Sequence, residues 1–342
     1  MRYIVFVLLL LLLGDASFCQ SKATGRKSLF EDERPIEVTL TTDIGSLIDN
    51  RKDPTFQKAA IAWKFPDSSS AINEEIQIRP RGITRKIVCN MASLMLDFKT
   101  AGSPRLSSLN KLKMVGGCGK TNSDEQFALK EYLVYKIYNL FTEMSFRVRL
   151  LHVKYEDSKG KSKSFTQYAY VIEDVDDMAK RNRCREKKGK SFNSERTNRD
   201  MMTLVAVFQF MIGNTDWSVP NFHNIKLLVP KTDSLAMPFV VPYDFDYSGI
   251  VNTGYAVPTE ELGLYGVTER LYRGFPRTME EIEAIAAVFI QKEEQVKVII
   301  NNFSLCDTKA KKQMINYVES FYQIMRNKKQ LKSTFIDNAR KE

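Results

Sequence analysis

Histidine is scarce in this chain: His152 and His223 are the only two in 342 residues. That scarcity excludes most zinc and di-iron sites, which draw on several imidazoles, and each ring reads first as a structural histidine. Cysteine is also sparse, five in all, and no two stand at the C-x-x-C spacing of zinc ribbons or thioredoxin-like redox sites. The chain has no long Pro/Gly/Ser linker and no internal repeat, which favours one large two-lobed domain over a string of modules. Beyond the first residues, no apolar run is long enough to span a bilayer.

What is present begins with a leader. Met1, Arg2 and Tyr3 precede an unbroken apolar stretch from Ile4 to Leu13, followed by small and polar residues up to Gln20. This is the pattern of a signal peptide over 1–19, with cleavage expected after Cys19 and a secreted or periplasmic destination. Phe18 is a poor neighbour for a lipidated cysteine, so lipoprotein anchoring at Cys19 is the lesser reading. Lys and Arg number 51 against 41 Asp and Glu. Such a surplus reads first as a solvated surface, and also suits phosphate-bearing ligands, nucleic acid or an anionic envelope. In an exported chain the remaining Cys89, Cys118, Cys184 and Cys306 are expected to form disulfides, and Cys89 with Cys118 is the first pairing to expect, since strands lie beside both.

Residues 20–35 read as a loose polar segment. From Ile36 the alternation Ile36, Val38, Leu40 has the period of two of a half-buried strand, and Ile76 with Ile78 repeats it. Runs at Leu94–Phe98 and Leu112–Val115 make residues 36–118 mainly sheet. A helix follows, capped by Ser123 with Gln126 three residues on, and bearing Phe127, Leu129, Leu133, Ile137 and Phe141 on its apolar face. Val148–Tyr155 and Phe165–Ile172 read as a hairpin. After a basic stretch, Lys180 to Lys190, residues 198–212 and 277–327 look helical. Strands first and helices later is α+β order.

The segment 211–228 and the one ending in Asp244 and Asp246 carry the chemistry. A helix ends at Gly213, a polar loop presents Asp216, Asn221, His223 and Asn224, and strands at Ile225–Val229 and Phe239–Tyr243 lead to Asp244 and Asp246. Phosphoryl transfer needs a carboxylate to orient the attacking hydroxyl, and a carboxylate with an amide oxygen to hold magnesium on the phosphates. This arrangement supplies all three. The bland alternative is a polar strand-loop-strand with solvated aspartates; a metallohydrolase on the same carboxylates is weakened by the lack of histidine.

Gly213-Asn-Thr-Asp216, then His223-Asn224 before a strand, then Pro242-Tyr-Asp-Phe-Asp246, resembles the catalytic and metal-binding loops of the CotH-like family, the secreted bacterial branch of the atypical protein-kinase-like superfamily. The resemblance implies a bilobal protein-kinase-like fold over 36–335, with a sheet-rich first lobe (about 36–175) and a helical second lobe (about 176–335). It makes Asp216 the catalytic base, Asp244 the main metal-binding carboxylate with Asp246 assisting, and Asn221 or Asn224 the metal-binding amide. Asn221 has the usual spacing of five residues from the base; Asn224 leads into the strand. It further implies a nucleotide-binding pair, Lys113 with Glu131, with Lys111 as substitute for the lysine and Glu173 near the adenine or the lysine. The Arg79-Pro-Arg-Gly-Ile-Thr-Arg-Lys86 segment also looks like the Arg-Gly segment that precedes the lysine strand in that family. Gly116 to Lys120 lacks Walker spacing and reads as a turn, and Arg270 to Gly274 is an arginine-bearing turn suited to an anionic substrate.

The function implied is an exported kinase moving phosphate from ATP and Mg2+ to protein or peptide hydroxyls. The alternative is a catalytically inactive module of the same kind that binds a partner at the cell envelope. Nucleic acid is not expected as a partner, because the basic stretch has only Phe192 as a nearby aromatic. A monomer without transmembrane segments after cleavage is expected.

Overall fold

The computed structural model describes residues 29–52 and 55–340. The leader expected over 1–19, and the start of the polar segment expected over 20–35, lie outside the described residues. The end of that segment is tied down: Leu29 is buried in the same core as Ile36, and Asp32 pairs with Arg34 and with Arg149, at 2.8 and 3.4 Å.

Seven strands form the first half: β1 (Ile36–Thr42), β2 (Gln57–Lys64), β3 (Ile72–Arg81), β4 (Ser93–Asp97), β5 (Lys111–Val115), β6 (Val148–Asp157) and β7 (Phe165–Ile172). They close into a barrel in the order β1-β2-β3-β4-β5-β7-β6. Neighbours run antiparallel except at the seam, where β1 lies parallel to β6 with Ile36 opposite Leu151 and Thr42 opposite Asp157. The period of two fills the interior. Val38, Leu40, Ile61, Trp63, Ile76, Leu96 and Leu112 share one buried core, with Trp63 edge-on to Phe98 at 5.5 Å. Short helices, α1 (Ile44–Asp49), α2 (Thr84–Val88) and α3 (Pro104–Ser107), bridge the strands.

Helix α4 (Asn122–Tyr138) sits between β5 and β6 in sequence. It starts in a capping box, Thr121 accepting from the amide of Asp124 and the Asp124 carboxylate returning to Thr121, so Thr121 takes the place expected for Ser123. From Ala128 to Tyr135 every residue is buried, Lys130 and Glu131 included, as expected of a helix enclosed on all sides. Its covering is the second half of the chain: α5 (Val175–Arg181), α6 (Arg199–Ile212), α7 (Met279–Asn302), α8 (Thr308–Arg326) and α9 (Lys328–Lys332), with a three-stranded sheet β10-β9-β8 of Phe239–Pro242, Ile225–Pro230 and Cys184–Glu186. Val115, Leu150, Tyr170 and Ile172 turn their side chains into this second core beside Leu133 and Phe208, so β6 and β7 are covered on both faces. The helix expected over 277–327 is interrupted at 303–307, where Asp307 caps α8 through the amide of Ala310 at 2.7 Å. No described helix is long and apolar enough to cross a membrane.

The expected fold is corrected by this arrangement. The α+β content holds, but the bilobal kinase-like division into a sheet lobe and a helical lobe does not describe the chain. Residues 36–172 close into a barrel instead of an open sheet, and α4, which interrupts the strands in sequence, packs in one core with the C-terminal helices. Periodicity reveals which residues form strands, and it is silent on the pairing of β1 with a strand more than a hundred residues away that closes the barrel.

One covalent bond joins the segment after α2 to the end of β5: Cys89 to Cys118, the pairing expected first. Cys184 and Cys306 are free thiols, both buried. Closing a loop of 29 residues removes unfolded-state entropy. Replacing both cysteines by serine should lower the unfolding free energy by about 3 kcal/mol, read as an earlier denaturant midpoint with a slope equal to or steeper than that of the crosslinked chain, because the denatured state is less compact without the bond.

Candidate functional site

A cleft of ≈ 350 Å³ opens between one end of the barrel and the β9–β10 edge. One wall comes from the barrel half, with Arg81, Arg85, Lys113, Val115 and Ile172; the other comes from the loop after α6 and the end of β10, with Asp216, His223, Asn224, Asp244 and Asp246.

The loop is built by its own hydrogen bonds. Helix α6 stops at Gly213 in a left-handed conformation (φ 66°), where a Cβ would strike the Tyr317 hydroxyl. The amide of Asp216 donates to Asn214 at 2.9 Å. Its carboxylate meets His223 Nε2 at 2.7 Å on one oxygen and Asn224 Nδ2 at 3.0 Å on the other. Ser218 and His223 exchange backbone hydrogen bonds of 3.0 and 2.9 Å, closing a turn over 219–222. Asn221 lies inside that turn and Asn224 follows the residue that closes it. It leaves Asn221 exposed outside the cleft and delivers buried Asn224 into it.

The acids after β10 are held from α4. The amide of Asp244 donates to Tyr135 Oη at 2.9 Å and that of Phe245 to Glu131 Oε1 at 3.2 Å. Asp246 accepts from Tyr255 Oη at 2.7 Å. Asp244 opens to the cleft yet is crowded by protein elsewhere, and this burial, with the negative charge of Asp246 beside it, pushes its carboxyl up to about 7. Burial and then Asp246 push Glu131 up to about 8, although Arg85 pulls the other way.

The cations are arranged differently from the expectation. Lys113 lines the cleft, and burial followed by the nearby Arg81 lowers its pKa. It makes no ion pair with Glu131. The buried cation facing Glu131 and Asp246 is Arg85, which donates to Ser93 Oγ at 3.2 Å and Gly116 O at 2.9 Å and leaves Nε without a partner. Glu173 is used elsewhere: it binds Arg181 at 2.9 Å, accepts from the amide of Arg147 at 3.0 Å, and does not line the cleft. Lys111 pairs with Asp97 at 3.2 Å. The Gly116–Lys120 loop is filled by Gln167, which bonds Gly117 N and Gly119 O. In the turn Arg270–Gly274 both arginines point inward: Arg270 binds Met211 O and Ser320 Oγ, and Arg273 binds Thr215 O and Trp217 O, buttressing the Asp216 loop.

Of the residues singled out in the sequence, the cleft therefore gathers Asp216, Asn224, Asp244, Asp246 and Lys113, has Glu131 directly behind it, and leaves out Asn221 and Glu173. Sequence reasoning included Arg85 in the Arg79–Lys86 segment without giving it a role, and missed Lys226, Tyr247 and the pairing of His223 with Asp216. The visible signal was the cluster of arginines at 79–85. Among the described residues no group of three or more His, Cys, Asp and Glu is placed to hold a metal ion alone. Asp244, Asp246 and the amide oxygen of Asn224 are the available hard oxygen donors. No protein-family model matches the chain, and no curated protein does.

The raised carboxyls carry a sign. A carboxyl whose folded pKa lies above its unfolded value holds its proton more tightly in the folded chain, so its contribution is greatest below the usual carboxyl range and is lost as pH rises through the folded value. For Glu131 and Asp244 that window runs from about 4 to about 8. The melting temperature should fall across it, and Glu131→Gln, which keeps an acceptor for the Phe245 amide, should flatten the fall. A Glu131→Gln profile parallel to the wild type would contradict the assignment.

Proposed function

We propose that the chain is an exported phosphotransferase that moves the terminal phosphoryl group of ATP, bound with Mg2+, to hydroxyls of a protein or peptide. The observation that carries this reading is the opposition of charge in one cleft. Arg81 and Lys113 stand on one wall with no counter-ion paired to either among the described residues, and Asp216, Asn224, Asp244 and Asp246 stand on the other. A phosphate chain with its cation satisfies both walls at once.

The donor set suits magnesium in that role. Mg2+ binds through one or two carboxylates and completes its shell with water and substrate phosphates, so a site without a protein cage is the form expected. The repulsion between Asp244 and Asp246 is the charge such a cation relieves. When bound, Mg2+ neutralises the phosphate oxygens and makes the terminal phosphorus a better electrophile.

Each residue then has a task. Lys113 and Arg81 hold phosphate oxygens, and Val115, Phe146 and Ile172 offer an apolar wall to the base. Asp216, fixed by His223 and Asn224, orients the acceptor hydroxyl. Its oxygen attacks the terminal phosphorus, the bond to the bridging oxygen breaks, ADP leaves, and the proton passes to Asp216. Export rests on the leader pattern and accords with the Cys89–Cys118 bond. The motif likeness to CotH-like proteins supports the same residue roles.

The inactive-module reading has its own support, since Lys113 has no carboxylate orienting it and both oxygens of Asp216 are already engaged. Calorimetry with ATP, with and without Mg2+, followed by transfer assays, separates the two. Asp244→Ala should abolish the magnesium dependence of binding. Asp216→Asn should bind as the wild type does and lose transfer by on the order of a hundred-fold or more. Wild-type protein that binds no ATP in the presence of Mg2+ sinks the phosphotransferase reading.

A further inference from the structure

On the other side of α4 from Glu131 lies a second cavity, of ≈ 480 Å³, that no step above uses. Lys130 forms its floor. This lysine is 4 % exposed, and its ammonium has one hydrogen-bond acceptor among the described residues, the carbonyl of Val251. An ammonium carries three donors, and a buried one left partly unsatisfied is costly. The Phe127 ring, 5.0 Å away, offers only a π face.

The walls add charge of the same sign. Arg270 is fixed over the Tyr317 ring at 3.8 Å, and Asn252, Thr268 and Asn316 place amides and a hydroxyl around the opening. Among the described residues no carboxylate lines the cavity. The acid closest in effect, Asp307, is occupied capping α8. Two cations, neutral hydrogen-bonding groups and no acid define the chemistry of an anion site.

We infer that this cavity is a binding site for a small oxyanion, phosphate or a carboxylate-bearing metabolite, which takes the free donors of Lys130 and the amides at the rim. Burial, which lowers the lysine to about 8, agrees with an ammonium short of counter-charge. An oxyanion on Lys130 is linked through that ammonium to the carbonyl of Val251, the end of the segment that carries Asp244 and Asp246. The inference stands independently of the phosphotransferase reading.

Inorganic phosphate is the probe, titrated by calorimetry into the full chain bearing Arg81→Met and Lys113→Met, so that the first cleft takes no phosphate. Saturable binding near one equivalent is expected to remain. Lys130→Met should weaken it by about ten-fold or more. Asn316→Asp, on the exposed face of α8 where folding is undisturbed, should weaken it by about three-fold. The inference is overturned if binding vanishes with the Arg81 and Lys113 changes alone, or if Asn316→Asp leaves the affinity unaltered. The phosphotransferase reading is judged separately, by magnesium-dependent ATP binding to protein with the first cleft intact.

Discussion

The site depends on the grip of one buried helix on one short segment. Helix α4 lies between the barrel and the C-terminal helices, and three of its side chains hold the stretch from Asp244 to Val251: Tyr135 takes the Asp244 amide, Glu131 the Phe245 amide, and Lys130 gives to the Val251 carbonyl. Glu131 and Tyr135 are four residues apart and so share a helix face. Phe245 fills the space between, 4.7 Å from the Tyr135 ring and 5.9 Å from Phe208. Burying an acid and an ammonium costs folding energy that an apolar helix would not incur. What the chain gains is a fixed direction for the Asp244 carboxylate, since the peptide groups on either side of it are anchored to a rigid element.

Backbone conformation tells the same story. Among the described residues six non-glycine positions have positive φ, and three of them, Phe222, Asn224 and Asp244, line this cleft. Each left-handed residue of this kind costs about 1 kcal/mol or more. The Tyr243 amide bonds the Asn224 carbonyl at 3.0 Å, and Gly249 N bonds Gly213 O at 3.1 Å, so the two loops brace each other. Held this way, the acids pay little reorganisation when a ligand arrives.

Sequence pattern identified local features well and long-range ones poorly. The alternation at Ile36–Leu40 and in the 148–172 hairpin, and the apolar face of α4, mark strands and a helix because one covered face imposes a period. β2 went unseen as a strand, since Ala59, Ile61 and Trp63 alternate with residues as small as Ala60 and Ala62, which blurs the contrast. Barrel closure and the burial of α4 on every side are decided by which surfaces meet, and no window of sequence contains that. The same limit explains the cations. Lys113, which the resemblance paired with Glu131, does line the cleft, yet the cation facing Glu131 is Arg85, brought there by α2 and held by Ser93 and Gly116. Glu173, placed near the nucleotide by resemblance, is drawn off by Arg181 only eight residues on, because α5 folds back immediately.

The different placement of Asn221 and Asn224 follows from the turn over 219–222. Counting from Asp216 favours Asn221, but the Ser218–His223 pairing makes residues 219–222 a closed turn, and distance along the chain then ceases to measure distance in space. Val219 is buried as its anchor, and Phe222, left-handed, reverses the chain toward β9. Asn224 emerges with its Nδ2 on both the carbonyl and the carboxylate of Asp216, at 2.8 and 3.0 Å, which turns its oxygen toward the cleft. The Asp216 carboxylate and the Asn224 amide are thus one hydrogen-bonded unit with His223 as its third member. A change to any of the three therefore moves the other two.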